Sequence, residues 1–129
     1  MKQTYSSGAF WEDKVAYSRA VRVGDLIEVA GTTAVDAEGN IIAPGDAGTQ
    51  ARYILSKISF ALEQLGGSLK DVVRTRVYVT DISSWEAVGA AHKEAFDGVN
   101  PAATMLEISS LIDPMLVVEI EATAIVQED

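Results

Sequence analysis

Glu119 and Glu121 stand two residues apart within the apolar run Leu116–Val126. In a strand the side-chain period is two, so both carboxylates point the same way. A carboxylate on a partly buried face has a raised pKa and can exchange protons near neutrality. The competing reading is a plain ion pair with Arg74 or Arg76, which the strand Val72–Thr80 carries on one of its faces. Other chemistry is scarce. The chain has no cysteine, hence no thiolate nucleophile, thiolate metal site or disulfide framework. With one histidine, His92, no transition-metal site or Ser/His/Asp triad can be argued. His92 falls on the apolar stripe of a helix and reads as a packing residue. Trp11 and Trp85 read the same way, and Tyr17 by pattern is a half-buried strand tyrosine. Gly45-Asp46-Ala47-Gly48 opens a helix without the lysine of a phosphate loop.

The elements that must position these groups follow from periodicity and punctuation. Strands are expected over Tyr17–Val23 and Leu26–Gly31, with Gly24-Asp25 as the hairpin turn. Asp36–Asn40 is a second turn, and Ile41–Ala43 is a short strand or an extended loop. Asp46 is the expected N-cap of a helix whose Ala51, Ile54, Leu55, Ile58, Ala61, Leu62 and Leu65 recur at helical spacing and which ends at Gly66-Gly67. In Val72–Thr80, Val73, Thr75, Val77 and Val79 share one face and Arg74, Arg76, Tyr78 and Thr80 the other. Ser83 or Ser84 caps a second helix, with Trp85, Val88, His92 and Ala95/Phe96 along one stripe. The last strands are Ala103–Ser109 and Leu116–Val126, joined through Leu111–Pro114. The order ββ(β)αβαββ predicts an α+β sandwich: one mixed, mostly antiparallel sheet of largely hairpin-linked strands with two helices on one face. Val118, Ile120, Ala122, Ala124 and Val126 suit the helix side. The other face would carry Arg74, Arg76, Tyr78, Glu119 and Glu121 together with Ala103, Met105 and Val117. Such a face is either solvated or a subunit interface with paired charges.

A chain of 129 residues fits a single domain spanning 1–129, and 48% hydrophobic residues suffice for a core. Nineteen acidic against ten basic residues, net −9, argue against a nucleic-acid partner. Met1–Tyr5 has no apolar leader-like region and no run is long enough to span a bilayer, so a cytoplasmic protein without a membrane partner is expected.

Tyr17-Ser18-Arg19-Ala20-Val21, the strand ending Ala30-Gly31, the run Val72–Asp81, Pro101-Ala102 and Glu119-Ile120-Glu121-Ala122 follow one another in the order seen in the reactive-intermediate deaminase (Rid, YjgF-like) superfamily. The resemblance runs from about Tyr17 to Val126. It implies a chorismate-mutase-like fold, a homotrimer with a pocket at each subunit boundary, and hydrolysis of reactive enamines and imines without metal or organic cofactor. Residue by residue, Tyr17 matches the pocket tyrosine, Gly31 the glycine whose backbone lines the pocket, and Glu119 the glutamate that positions the attacking water. Ala30 stands where deaminating members usually have serine, Trp85 where another aromatic is common, and Met105 where cysteine is frequent. Val15-Ala16 replaces a frequent Gly-Pro. Ala103 stands where imine-deaminating members carry the arginine that grips the substrate carboxylate as a bidentate fork, which alanine cannot imitate. The resemblance thus places the chain in an arginine-less branch. The expected function is a small-molecule hydrolase acting on C=N bonds, though not on simple 2-imino acids. The alternatives are a non-catalytic metabolite-binding trimer and, against the acidic charge, an endoribonuclease. Arg19, Arg22 and Arg52 are the candidates for a replacement cation.

Overall fold

The structure, a computed structural model, describes residues 1–127. Six strands form one sheet: β1 (Lys2–Tyr5), β2 (Ala20–Val23), β3 (Leu26–Thr32), β4 (Val72–Val79), β5 (Ala102–Glu107) and β6 (Val118–Ile125). Their spatial order is β1-β2-β3-β6-β4-β5. Every neighbouring pair is antiparallel except β4–β5. A parallel pair needs a crossover, and α3 (Trp85–Phe96) supplies it. Only β2 and β3 are joined by a tight hairpin; α1 lies in the connection from β1 to β2. The last strand, β6, inserts between β3 and β4, so the expected sheet of largely hairpin-linked strands is replaced by one with two crossings.

The long helix α2 (Ala47–Gln64) packs on β3, β6 and α3. Asp46 caps it as expected, accepting a 3.1 Å bond from the Thr49 N–H. Gly66, at φ 84°, ends the following turn in the left-handed region. Ile54, Ile58 and Leu62 of α2 and Ile27, Val118 and Ile120 of the sheet are fully buried in one core. Ser84 takes the expected N-cap position of α3, but its side chain makes no capping bond; Asp81 instead accepts from the Ser83 N–H at 2.9 Å and heads a short 3₁₀ turn, Ile82–Ser84, that leads into α3.

The sequence pattern misses two elements, β1 and the six-residue α1 (Phe10–Val15). The helix has no capping side chain at Ala9 and is too short to stand on propensity. It is held from within, by a buried Glu12. Ala16, at φ 70°, closes it, and Tyr17 donates its N–H back to Glu12 at 2.9 Å. Tyr17 therefore sits in the turn after α1, and β2 begins only at Ala20.

Two assignments of side-chain direction are corrected by register. In β4, Val72 is buried and Val73 is 43% exposed, because the pairing with β6 shifts between Val72 and Arg74. A bulge there breaks the alternation that put Val73 with Thr75, Val77 and Val79. In β5, Ala103 pairs with Thr75 and Met105 with Val77, both buried on the helix side. Adjacent partners in a sheet face the same way. Ala103 and Met105 are thus on the helix face of this edge strand, and Ala102, Thr104 and Leu106 share the open face with Arg74, Arg76 and Tyr78. Thr104 accepts a 2.7 Å bond from Arg74 Nη2 across that face.

Candidate functional site

A cavity of about 480 Å³ opens at the junction of α1, α2, β3 and β6. It is organised by a second bulge. Between Val29 and Thr32 the register of β3 on β6 slips, so that Ala30 and Gly31 together oppose Glu121. This frees the Gly31 carbonyl, which accepts a 2.7 Å bond from Arg19 Nη1. The same nitrogen reaches Thr32 Oγ1 at 3.0 Å, Nη2 reaches the Tyr17 hydroxyl at 3.1 Å, and Nε reaches Glu12 Oε2 at 3.3 Å. Arg19 is 8% exposed and Glu12 4%. Breaking either member of so buried a pair leaves an uncompensated charge.

Burial alone would raise the Glu12 carboxyl. Bonds from the Ser7 and Ser6 hydroxyls and the Ser7 N–H, with the charge of Arg19, outweigh it and hold the carboxyl below its ordinary value. The segment Ser6-Ser7 thus folds back on α1 and fixes Glu12, Glu12 fixes Arg19, and Arg19 fixes Tyr17 and the bulge.

Glu119, on β6, lines the cavity beside Gly31. A Cβ at Gly31 would stand 3.0 Å from the Glu119 Cδ and Oε2, so a larger residue there would require the carboxylate to give way by a few tenths of an ångström. Burial raises the Glu119 pKa, the nearby Glu121 raises it further, and Arg19 lowers it without cancelling the effect. Glu121 is differently engaged: its Oε1 lies 3.8 Å from Arg76 Nη1 and accepts a 3.3 Å bond from the Tyr78 hydroxyl. The ion pair anticipated for one of the two glutamates belongs to Glu121. Among the described residues no arginine or lysine lies within 4 Å of the Glu119 carboxylate.

The structure therefore brings Tyr17, Gly31 and Glu119 together. Ala30 shares the bulge without lining the cavity. Trp85, 57% exposed at the start of α3, lies on the helix side with Ala103 and Met105, and none of the three lines the cavity within one chain. Of the three candidate cations, Arg19 alone reaches it. Arg22 donates to the carbonyls of Gly24 and Leu65, and Arg52 pairs with Glu94 on the surface. His92 is a packing residue: its Nε2 bonds Thr75 Oγ1 at 2.8 Å, its ring lies 4.7 Å from Phe96, and burial lowers its pKa.

Sequence reasoning misses Glu12 and Lys57. Glu12 is hidden with α1 itself. Lys57 carries a readable signal, standing three residues after Ile54 and four before Ala61, within the helical spacing of the buried stripe. Its Nζ donates 2.9 Å bonds to the carbonyls of Thr33 and Val35. Burial first, then the charge of Arg19, lower its pKa to about 8, against the opposing pull of Glu12 and Asp36.

The family model described as Endoribonuclease L-PSP matches residues 11–126. An uncharacterized protein of Streptomyces coelicolor is 36% identical over 118 residues, covering 92% of this chain and 87% of that one. A RutC family protein of Pyrococcus abyssi is 36% identical over 108 residues, covering 84% of each. Among solved structures, a Mycobacterium tuberculosis member of the YjgF/YER057c/UK114 family superposes with a TM-score of 0.89 at 48% identity, covering 98% of this chain and all of that one.

Proposed function

Because the chain belongs to the endoribonuclease L-PSP family, the YjgF/Rid superfamily, we propose that it is a cofactor-independent hydrolase of small molecules, cleaving a C=N bond in the cavity where Glu119 lies. The observation that carries this reading is the contrast between the two glutamates. Glu121 is held by Arg76 and Tyr78, whereas Glu119 faces the cavity with a raised pKa and no cationic partner within 4 Å among the described residues. A general base works best when its pKa lies near the operating pH.

In the reaction proposed, the Glu119 carboxylate takes a proton from water as the water oxygen bonds to the imine carbon. The C=N π electrons move to nitrogen, which gains a proton. The tetrahedral carbinolamine then loses ammonia as its hydroxyl proton departs and the C=O bond forms. The water supplies the carbonyl oxygen, and its hydrogens leave on nitrogen. No electron transfer is involved.

Simple 2-imino acids are expected to be poor substrates, since Ala103 replaces the arginine that deaminating members of the superfamily use for the carboxylate. We assign the chain to a homotrimer in which a neighbouring copy completes each cavity. The open sheet face, with Arg74, Arg76 and Glu121 among exposed apolar residues such as Leu106, supports this. RNA cleavage, which the family's description names, is opposed by a net charge of −9.

The test is ammonia release from imines generated in situ by an amino-acid oxidase, across aliphatic, aromatic and uncharged imines. Turnover of at least one, abolished by Glu119→Gln, is the expected result. Failure on the whole panel by a folded protein overturns the reading.

A further inference from the structure

The charges of the cavity are unevenly satisfied. Arg19 is largely committed to the protein: four bonds occupy four of its five N–H donors, and Glu12 matches its charge. Lys57 lines the same cavity and is not matched. Two of its three N–H donors are held by the Thr33 and Val35 carbonyls, and among the described residues no carboxylate lies within 4 Å of its Nζ. Carbonyls orient an ammonium but do not neutralise it. The third N–H therefore sits on a positioned, half-buried cation. Opposite in sign, Glu119 is the unmatched acceptor of the same cavity.

We propose that Lys57 is the anion-recognising residue of this cavity, and that the ligand is a small molecule bearing an anionic group, such as a carboxylate, for Lys57 and a nitrogen or hydroxyl donor for Glu119. The role of Lys57 stands on its own; the identity of the donor end rests on the functional reading above. The site is distinct from the position held by Ala103, which lies on the helix face of β5 outside the cavity wall. A charge placed on α2 would select ligands by a different separation between anion and reacting centre than one placed on β5.

The groups facing Lys57 set its response to pH. On its own helix there is the Tyr53 ring, whose centroid lies 6.0 Å away. From the loop after β3 comes Asp36, and from α1 and the turn before β2 come Glu12 and Arg19. Tyr5, Tyr17 and Glu119 complete the ionisable lining of the cavity. An anion bound at Nζ would offset both burial and the Arg19 charge, so binding is expected to draw a proton onto Lys57 above about pH 8.

The experiment is a calorimetric titration of the whole protein with acetate, pyruvate, succinate and inorganic phosphate, with succinamide as the uncharged control. At least one anion is expected to bind in the millimolar range or tighter. Lys57→Met should weaken it about tenfold or more and leave any succinamide binding unchanged. Lys57→Arg should retain the anion and abolish the loss of affinity seen as pH rises through about 8, because the guanidinium does not titrate there. If no anion binds, or if folded Lys57→Met binds as wild type does, the proposal is overturned. If Lys57→Met does not fold, Lys57→Arg decides: an affinity that still declines through about pH 8 overturns it. An anion held through Lys57 by a protein inert on every imine would sink the hydrolase and keep this site. Turnover with KM unchanged in Lys57→Met would do the reverse.

Discussion

A Cβ placed on Gly31 would stand 3.0 Å from Glu119 Oε2, tighter than a side chain can settle without displacing its neighbour. The contact couples the bulge of β3 to the carboxylate proposed as the base. Gly31→Ala is therefore expected to push Glu119 aside, costing about 1–3 kcal/mol of stability by overpacking and more in turnover than in stability. A double-mutant cycle checks the cause: Glu119→Ala should relieve most of the Gly31→Ala destabilisation in thermal melts. Strictly additive losses would show that the glycine is needed for another reason.

Glu119→Gln keeps the shape of the side chain and removes the base. We expect turnover to fall about 100-fold or more, with assembly and ligand affinity preserved. Glu121→Gln, which weakens the contacts with Arg76 and Tyr78, should affect assembly or stability before rate. Steady-state kinetics beside sedimentation separates them. A normal rate in Glu119→Gln with a dead Glu121→Gln would reverse the assignment, and a trimer lost on Glu119→Gln would make that residue an interface partner.

What could be read in the sequence was what local signals alone determine. The Asp46 cap, the apolar stripe of α2 and the glycine stop at its end are each set by a few neighbouring residues, and each is found in place. The alternation of β4 holds from Thr75 to Val79 and fails at Val72–Val73, where a bulge adds a residue that no local pattern announces. The facing of β5 is not legible locally, because it depends on parallel register with β4, a long-range property. For the site, Tyr17, Gly31 and Glu119 could be picked out by resemblance, yet the reason they meet could not. Tyr17 is held by Arg19, and Arg19 by a glutamate from a helix whose sequence has no cap and hardly any period. Lys57 lies within the apolar spacing of α2 and is passed over in the sequence. Only the fold shows that its ammonium meets two loop carbonyls at the cavity wall.

Stability should vary with pH in two opposed ways. Glu119 has a folded pKa raised above its ordinary 4.5, first by burial. The folded chain then binds the proton more tightly than the unfolded one, so the Glu119 contribution to stability is fully present below 4.5 and is lost as pH rises through the raised value. His92 has a folded pKa depressed below 6.5 by burial. Its contribution is present above 6.5 and is lost as pH falls through the lowered value. Denaturant melts of Glu119→Gln and His92→Gln across this range should each flatten one limb. In wild type, kcat/KM should rise with pH through the raised Glu119 pKa as the base ionises. A rate indifferent to pH there would remove Glu119 from the proton transfer.

The open face of the sheet leads to the last prediction, on assembly. Arg76 and Glu121 pair across it, Arg74 bonds Thr104, and Leu106, Val73 and Leu26 are 51%, 43% and 38% exposed beside them. Charged pairs set among exposed apolar side chains suit a self-complementary or cyclic contact better than bulk water. Sedimentation equilibrium is expected to give three times the 13.8 kDa chain mass at micromolar concentration, and Arg76→Glu, which sets like charges against Glu121, should shift it toward monomer. The same assembly decides what Ala103 means. Within one chain this residue is outside the cavity wall, so an arginine there can act only if a neighbouring copy brings its β5 to the cavity mouth. Ala103→Arg should therefore raise activity on 2-imino acids in the trimer and do nothing when combined with Arg76→Glu. Gain in both backgrounds would mean that the arginine reaches the cavity of its own chain. A stable wild-type monomer or dimer would remove the shared cavity altogether.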